Sequence, residues 1–413
     1  MTAAAMTATV TAGRYLRGLL PNLLAAALVV CTVVVGALVA PAMAETIRGT
    51  GDLGVVVERA SGRVLIVEQT GRTSIGQVEG LGDLSHASVV FSRDGRYAYV
   101  FGRDGGLSKV DLLERRLVKR IVQAGNAIGG AISADGRLIA VSNYEPGGIK
   151  VFDAGTLDLV ADLPAVSDGV ASKVVGLVET ADGRFVYALY DTGEIWVADL
   201  ADPARPSVRK YTGIGRQPYD GVTVDNGRYY VAGLFGEDGL AVLDLWNPDA
   251  GVRRVMDGYG KGEEPLPVFK MPHLEGVAVA GGLVFLPAVG HHELLVVDVR
   301  TWQEVARIPV HGQPVFAVAR PDGRQIWVNF AHPLNDTVQV IDVPSLAVVG
   351  TLVPGKGVMH LEFTPKGDQV WVSVRDEDRV RIYDPRTLAE VGSIAAERPS
   401  GIFFTARANR LGS

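Results

Sequence analysis

An Asp-Gly-Arg type of turn recurs along most of this 413-residue chain and limits the possible folds more than any other feature. Counted from glycine to glycine, successive copies are 41, 47, 44, 55, 41 and 44 residues apart. Each turn is followed by an apolar strand, by a third strand that ends in Asp or a near equivalent, and by a short fourth strand. Four strands in a period of about 40 to 45 residues are typical of a β-propeller blade. The copies occupy residues 94–96, 135–137, 182–184, 226–228, 281–282, 322–324 and 366–368.

The number of repeats predicts an all-β, eight-bladed β-propeller, with seven blades as the alternative. The seven turns account for seven blades, and residues 55–78 add an opening unit with the same strand pattern. Residues 400–410 then form a strand without a blade of its own. Because propellers commonly close their ring by pairing a terminal strand into the first blade, we expect this strand to complete blade one. The Asp residues of the turns, such as Asp94 and Asp322, are interpreted as structural rather than catalytic.

Composition and charge narrow the range of partners. Apolar residues make up 47% of the chain and there are 50 glycines, which suits a large core whose strands are joined by tight turns. The formal net charge is -6, so the chain lacks the basic surface that nucleic acid binding requires. We therefore expect no nucleic acid partner.

The N-terminal residues have the pattern of an export signal. Basic residues precede an apolar run at 23–40, and the small-residue sequence AMA follows at 42–44. We predict a signal peptide over residues 1–44 with cleavage after Ala44, a propeller over residues 45–413 and a periplasmic location. The apolar run is also just long enough for an uncleaved membrane anchor, which stays the alternative. Cys31 is the only cysteine, so the cleaved chain has neither disulfide nor thiolate chemistry.

The strand order within a blade sorts the loops onto two faces. If each blade runs from the channel outward, the connections between blades share one face with the loops between second and third strands, and the Asp-Gly-Arg turns lie on the other face. By this rule all seven histidines fall on the first face. We infer a histidine-rich mouth above the channel, where propellers usually bind ligands. The connections between blades carry His86, His273, His311 and His360, and the loops carry His291, His292 and His332.

Arginine and aromatic residues occur in the same connections and loops. A guanidinium group presents two parallel hydrogen-bond donors that match a carboxylate, and aromatic rings can flank a flat apolar ligand. The histidines come from separate blades and lack the short spacing of a zinc site. The pattern predicts a flat, metal-bearing, polyanionic ligand, while ordinary surface ion pairs are the alternative for the arginines. The residues are Arg103, Tyr144, Tyr190, Arg216, Tyr219, Asp220, Arg375 and Arg398.

The passage SHASVVFSRDGRYAYVFGRDGGLSKVDL at 85–112 resembles the opening blade of the haem d1 domain of cytochrome cd1 nitrite reductase. That domain is an eight-bladed propeller, and the resemblance implies that His86 is the axial ligand of the tetrapyrrole iron. The segment QPYDG resembles one in which a distal histidine precedes Asp, so Tyr219 stands in the histidine's place while Asp220 is retained. The segment MPHLEG places His273 in a comparable distal position.

The chain departs from the reductase because it has no CxxCH motif and no cytochrome c domain. No nitrite reductase activity is therefore expected. The signal peptide, the single propeller and the sequences NYEPGGIKVFD and GRQPYDG resemble the NirF family of haem d1 biosynthesis proteins. This resemblance implies a dehydrogenase that converts a propionate of dihydro-haem d1 into the acrylate of haem d1.

On this resemblance the candidate residues take expected roles. Tyr219, His273 and His360 are candidates for proton removal, since a neutral histidine accepts a proton near neutral pH. Haem d1 or dihydro-haem d1 is expected as the bound product or substrate, and its iron or an external acceptor is expected to take the two electrons. The residues expected to bind it are His86, as the iron ligand, with Arg103, Tyr144, Arg216, Asp220 and Arg398.

Two other functions stay open from the sequence. One is a non-catalytic carrier that hands haem d1 to nitrite reductase, and the other is a generic periplasmic scaffold for protein interactions. Cytochrome cd1 nitrite reductase and other haem d1 maturation proteins are the expected protein partners. The oligomeric state is left open, with a homodimer as one alternative.

Overall fold

The innermost strands of eight antiparallel sheets surround a central channel in the computed structural model of the protein. Residues 49–258 and 276–410 are described, except for the side chains of Asp220 and Val289. The predicted signal peptide over residues 1–44 and its boundary with the propeller lie outside the described residues. Within those residues, no helix is long and apolar enough to cross a membrane.

Each sheet forms one blade of four strands, and the eight blades across the described residues confirm the predicted eight-bladed β-propeller. Blade one contains β1 (Leu53–Glu58), β2 (Arg63–Glu68) and β3 (Thr73–Val78) together with the last strand of the chain. From the channel outward, blade two contains β4 (Ala87–Phe91), β5 (Tyr97–Gly102), β6 (Gly106–Asp111) and β7 (Arg116–Val122), and blade three contains β8 (Asn126–Ile132), β9 (Leu138–Glu145), β10 (Ile149–Asp153) and β11 (Leu159–Leu163). A small hairpin, β12 (Val166–Ser167) and β13 (Val170–Ala171), precedes blade four, which contains β14 (Val174–Glu179), β15 (Phe185–Leu189), β16 (Glu194–Asp199) and β17 (Ser207–Tyr211).

The remaining blades repeat this arrangement. Blade five contains β18 (Pro218–Val224), β19 (Tyr229–Leu234), β20 (Leu240–Asp244) and β21 (Val252–Val255), and blade six contains β22 (Ala278–Ala280), β23 (Leu283–Ala288), β24 (Glu293–Asp298) and β25 (Glu304–Pro309). Blade seven contains β26 (Pro314–Ala319), β27 (Gln325–Phe330), β28 (Val338–Asp342) and β29 (Ala347–Leu352), and blade eight contains β30 (Val358–Phe363), β31 (Val370–Val374), β32 (Arg379–Tyr383) and β33 (Glu390–Ala395). The last strand, β34 (Pro399–Phe404), belongs to blade one. Single 3-10 turns occupy Thr50–Asp52, Pro248–Ala250, Val289–His291, Arg375–Glu377 and Thr405–Asn409.

Burial along the strands follows from the stacking of blades. The second and third strands of a blade are covered on both sides by neighbouring blades, so they are nearly continuous apolar runs, and all five residues of β15 are buried. The outermost strands alternate instead, and β29 changes between exposed and half-buried residues along its length. The core therefore lies between the blades and leaves the channel free to be lined by the innermost strands.

The ring closes as predicted, because β34 pairs with β1 in the sheet of blade one. The two strands are antiparallel, with Val55 opposite Phe403 and Val56 opposite Ile402. The Thr405 hydroxyl that follows β34 also donates to the carbonyl of Thr50, at 2.7 Å, which ties the two ends of the propeller together. This pairing removes two exposed strand edges, which would otherwise invite aggregation.

Backbone hydrogen bonds define the two faces of the ring. On one face, which we call the mouth face, the connections between blades bond to the loops between second and third strands; an example is the Ile214 amide, 3.1 Å from the Gly193 carbonyl. On the opposite face, the turn face, the Asp-Gly-Arg turns accept from the loops between third and fourth strands, as when the Leu112 amide donates to the Arg96 carbonyl at 2.9 Å. The faces thus match the arrangement predicted from the strand order.

The aspartates of the turns have structural partners. The Ser133 hydroxyl lies 2.6 Å from Asp135 Oδ1, and the Arg137 amide lies 3.0 Å from the same oxygen. Burial raises the pKa of Asp135, but these hydrogen bonds and the Arg137 side chain outweigh that effect and lower the pKa to about 2. Gly136 has a φ of 76°, a conformation that other residues adopt only with strain. These features account for the recurring motif as turn chemistry on the turn face.

We expect the contact between blade eight and the closing strand to matter for stability. Trp371 is fully buried and packs edge-on against Phe404 with 5.3 Å between the ring centroids. Trp371→Ala should lower the free energy of unfolding by about 3 to 5 kcal/mol, because it leaves a large cavity beside the closing strand. Trp246→Ala is the matched control, since Trp246 is 67% exposed and its loss should cost about 0.5 kcal/mol or less. Urea denaturation of both variants measures the difference, and equal losses would contradict this account of closure.

Candidate functional site

A β-bulge recurs in the innermost strands close to the mouth face. Within the described residues, five of the eight blades have a register shift at this place, where two residues of the innermost strand oppose one residue of the second strand. Blade three has two shifts that cancel each other. In blade eight the bulge contains His360, and in blade seven it contains Phe316. Bulges bend a strand and redirect its side chains, and they are common near functional sites. The channel lining is thus built from residues that a regular strand would orient differently.

Buried polar side chains of the second strands hold these bulges in place. The Ser373 hydroxyl accepts the backbone N–H of His360 at 2.8 Å, and Asn329 Oδ1 accepts that of Phe316 at 3.0 Å. Ser373 and Asn329 are both fully buried within otherwise apolar strands. A buried polar group is costly unless it is hydrogen-bonded. Ser373 and Asn329 are tolerated in the core because each binds a backbone N–H that the bulge leaves without a partner in the sheet.

His360 lies in an apolar enclosure between blades seven and one. Its ring centroid is 5.4 Å from that of Phe316 and 5.5 Å from that of Phe403. The backbone N–H of Ile402 donates to its Nδ1 at 3.2 Å. Burial lowers the pKa of His360 to about 4; the negative charge of Glu362 opposes this and the positive charge of Arg407 adds to it. The imidazole is therefore neutral at physiological pH.

His86 lies where the connection from blade one enters blade two. It directly precedes β4, which pairs with β5 in regular register. The Arg59 side chain donates to the carbonyl of the neighbouring Ser85 at 2.5 Å. The backbone N–H of Arg103, in the loop after β5, donates to the Asp83 carbonyl at 2.8 Å. The connection that carries His86 is thereby fixed between two loops that each carry an arginine.

Four arginines form what we call the arginine cluster: Arg59, which donates to the residue before His86, and Arg103, Arg375 and Arg398, whose charges act on Arg59. Burial lowers the pKa of Arg59, and the positive charges of Arg375 and Arg398 lower it further. Arg103 acts in the same direction, against the opposing negative charge of Asp83.

Acidic residues only partly balance the charge of the arginine cluster. Arg375 forms two hydrogen bonds to Asp376, at 2.7 and 2.9 Å, while Arg398 lies 3.8 Å from the same carboxylate. Arg59 and Arg375 are half-buried, whereas Arg103 and Arg398 are exposed. Among the described residues, the four guanidinium groups have three acidic neighbours, Asp83, Asp376 and Asp378, which leaves an excess of positive charge. Such an excess of positive charge favours an anionic ligand, and the guanidinium fork suits carboxylates in particular.

Aromatic side chains from blades three to five form a second group, the tyrosine cluster of Tyr144, Tyr190, Tyr219 and Phe235. The hydroxyls of Tyr144 and Tyr219 are hydrogen-bonded at 2.7 Å. The ring of Tyr190 meets that of Tyr219 edge-on at 6.0 Å, and Phe235 lies 6.4 Å from Tyr219. Tyr219 is only 5% exposed. This group offers apolar ring surface and a pair of coupled phenol groups.

Arg216 lies apart from the arginine cluster, in the connection that leads into blade five. Its side chain is 72% exposed and its Nε is 3.2 Å from Glu237 Oε2. Glu237 also pairs with Arg254 at 2.8 Å. Arg216 is therefore a rim residue with its own carboxylate partner, and the structure does not bring it together with His86.

The structure brings together several residues singled out in the sequence. The charges of Arg103 and Arg398 act on Arg59, whose side chain donates to the residue before His86, and the Tyr144 hydroxyl bonds to that of Tyr219. Arg59 is not among the predicted site residues because only the strands of the opening blade are considered there. Its loop, ERASGRV, carries an arginine between two strands, as other mouth-face loops do. Phe316 and Phe403 were missed because they lie in apolar runs that are typical of core strands.

Several residues predicted in connections or loops lie in strands instead. Tyr144 is in β9, Tyr219 and Asp220 are in β18, and His360 is in β30. For Tyr219, Asp220 and His360 the predicted innermost strands begin too late, because the bulge residues interrupt the alternation that marks a strand. For Tyr144 the second strand extends further than predicted. His273 and the side chain of Asp220 lie outside the described residues. Of the other mouth histidines, His291 and His332 are exposed, and His311 is exposed with its ring 5.5 Å from that of Phe330.

The buried neutral state of His360 should make stability depend on pH. The pKa of an unfolded histidine is about 6.5, so between pH 6.5 and pH 4 the unfolded chain binds more protons than the folded one. Stability attributable to this residue is thus present above pH 6.5 and is lost as the pH falls. Relative to His360→Asn, the protein should lose about 2 to 3 kcal/mol more between pH 7 and pH 4.5 in urea denaturation. Parallel pH profiles for the two proteins would contradict the assignment.

Comparison with known proteins agrees with this arrangement. Residues 48–408 match the family model described as Cytochrome D1 heme domain. Protein NirF of Stutzerimonas stutzeri is 58% identical over 371 residues, which is 89% of this chain and 95% of the relative. Protein NirF of Pseudomonas aeruginosa is 59% identical over 369 residues, which is 89% of this chain and 94% of the relative.

A solved structure is also similar over most of the propeller. It is the dihydro-haem d1 dehydrogenase NirN in complex with DHE, which is 27% identical in sequence and has a TM-score of 0.75. The match covers 87% of this chain and 76% of that chain. From the family match and the identities over nearly their full lengths, the chain belongs to the cytochrome D1 haem domain family and, within it, to the NirF proteins.

Proposed function

We propose that the protein acts late in haem d1 biosynthesis and dehydrogenates a propionate of dihydro-haem d1 to the acrylate of haem d1. The observation that carries the proposal is the arginine cluster around the half-buried Arg59, which donates to the residue before His86 on the mouth face of a d1-type propeller. The similarity to a dihydro-haem d1 dehydrogenase supports the reaction type. In this proposal the tetrapyrrole is the substrate and not a resident cofactor.

His86 would bind the iron of the substrate and the arginine cluster would bind its carboxylates. An imidazole nitrogen is a common ligand for iron in tetrapyrroles, and the connection that carries His86 is anchored through Arg59 and Asp83. Each guanidinium group can hold one carboxylate through two parallel hydrogen bonds. The tyrosine cluster would add apolar contact to the macrocycle. Iron, carboxylates and ring face would thus each find a matching group.

The reaction breaks two C–H bonds of the –CH2–CH2– unit and forms one C=C bond, so two protons and two electrons leave the substrate. The candidate groups for proton removal are Tyr219, His273 and His360. The electrons would leave one at a time through the tetrapyrrole iron to an external one-electron acceptor. The chain's own contribution is to bind the substrate, orient the propionate and take up a proton.

The test is an anaerobic incubation of the purified protein with dihydro-haem d1 and a one-electron acceptor dye. We expect the absorption spectrum to shift on binding and then to change to that of haem d1, with mass spectrometry showing the loss of two hydrogen atoms. Binding without conversion would refute the dehydrogenase proposal in favour of a carrier, and the absence of binding would leave only a scaffold. His86→Ala should lose the spectral shift, because the iron would lose its axial ligand.

The control for His86→Ala is Arg137→Ala. The Arg137 side chain is 82% exposed and belongs to a turn on the opposite face, so its removal should leave the spectrum unchanged. A spectral shift that survives in His86→Ala would overturn the assignment of the iron ligand. Circular dichroism of both variants shows whether the propeller is intact.

The proposal includes export to the periplasm, with residues 1–44 as a cleaved signal peptide. It is supported by the apolar run at 23–40 and the AMA sequence before Glu45. N-terminal sequencing of the protein from the periplasmic fraction should begin at Glu45. Recovery of an intact N-terminus in the membrane fraction would instead show that the segment is retained as an anchor.

A further inference from the structure

The hydrogen bond to His360 determines which of its nitrogens carries the proton. Nδ1 accepts the backbone N–H of Ile402 at 3.2 Å, so it must present a lone pair. In a neutral imidazole the single proton then resides on Nε2. Ile402 lies in the closing strand β34, 42 residues away in sequence, so the tertiary fold itself selects this tautomer.

The position and the ring plane of His360 are also fixed. Ser373 contacts its backbone twice, accepting from the N–H at 2.8 Å and donating to the carbonyl at 3.3 Å. The rings of Phe316 and Phe403 lie on either side of the imidazole. Among the residues that the structure describes, none accepts a hydrogen bond from Nε2, and His360 is half-buried on an innermost strand. The side chain thus presents one unused N–H in a rigid orientation.

We propose that His360 is a positioning residue that donates a hydrogen bond from Nε2 to an acceptor oxygen of the ligand, and that it is not the base that removes a proton. This inference rests on the proposed function, because it concerns how the same site recognises its tetrapyrrole. His360 then acts as a hydrogen-bond donor instead of a base. Tyr219 and His273 remain as the candidate bases for proton removal.

A role as base would conflict with the Ile402 contact. To accept a proton at Nε2, the neutral ring would have to carry its hydrogen on Nδ1, where it would face the N–H of Ile402, donor against donor. The low pKa of His360 points the same way, because a weakly basic imidazole is a poor proton acceptor near neutral pH.

Within the part of the chain that the structure describes, the charges that act on His360 are those of Glu362 and Arg407, and the Arg375 side chain contacts the neighbouring Met359 at 3.8 Å. Glu362 lies on the same strand, and Arg407 from the turn after β34 forks onto it at 3.0 and 2.7 Å. The described contacts to His360 from β26, β31 and β34 come from Phe316, Ser373 and the residues Ile402 and Phe403, all uncharged. The Glu362 charge raises the pKa of His360 and the Arg407 charge lowers it, so the two partly cancel and burial decides the direction.

The chemistry of a fixed N–H indicates the kind of group it would meet. A carboxylate or carbonyl oxygen at the periphery of the ligand is a suitable acceptor. When a proton leaves the carbon next to a carboxylate, negative charge develops on the carboxylate oxygens. A preoriented donor in an apolar enclosure stabilises such charge more than water does. His360 would then contribute to both binding and rate.

The tautomer can be measured without any ligand. Long-range 1H–15N NMR of the full chain labelled with 15N-histidine should show one histidine that is protonated on Nε2 and stays neutral down to about pH 5, and His360→Asn should lose that signal. An Nδ1–H tautomer, or a titration of this residue near pH 6.5, would overturn the inference. This result stands apart from whether the protein is a dehydrogenase.

Two substitutions separate a donor from a base in binding and turnover. His360→Gln keeps an N–H near the Nε2 position, whereas His360→Phe removes it and retains an aromatic ring. We expect Phe to weaken tetrapyrrole binding or kcat/KM by about 10- to 100-fold, with Gln within about 5-fold of the unmodified protein. A loss with Gln as large as with Phe would indicate a base. So would a kcat profile whose acidic limb, the fall in rate as the base becomes protonated at low pH, disappears in both variants. If the unmodified protein binds but does not convert dihydro-haem d1, only the proposed function fails and the binding comparison still tests the donor.

Discussion

Pairing of the last strand with the first is the constraint on which the rest of this propeller depends. Seven blades are continuous in sequence, but blade one needs β34 to complete it. The register that places Val56 opposite Ile402 also sets the height of the residues that follow in β34, including Phe403. His360 receives a hydrogen bond and a ring contact from this same strand. The strand pairing that closes the ring therefore also positions the residues that contact His360 in the channel wall.

The bulges show how a repeated scaffold can carry an individual site. A regular innermost strand would leave no unpaired backbone groups in the ladder, but it would also orient its side chains in strict alternation. The bulges break that alternation in five blades, and polar residues such as Ser373 and Asn329 bind the freed backbone groups inside the core. Blade two keeps a regular strand and instead uses the residue just before it, His86. The repeated blades thus supply rigidity, while a few local departures supply the chemistry.

Much of the architecture could be predicted from the sequence because the signals are periodic. The spacing of the turns gave the blade count, and the leftover strand at residues 400–410 gave the closure. The site was harder to predict because its geometry depends on contacts between distant residues. No local sequence pattern predicts that the Ile402 backbone binds Nδ1 of His360. Nor does one predict that the charges of Arg375 and Arg398 act on Arg59. The strand positions of Tyr219 and His360 were missed for a related reason, since bulge residues resemble loop residues in sequence.

The arginine cluster has a consequence for the ring as a whole, because its members come from both ends of the chain. Arg59 follows β1, Arg398 precedes β34 and Arg375 belongs to blade eight. In the absence of an anion their mutual repulsion acts across the one sheet that is held together without chain continuity. An anion bound among these arginines would offset their repulsion where the two ends of the chain pair. Its binding energy would then add to the stability of the closed ring. Anion binding and closure of the propeller ring are then thermodynamically linked.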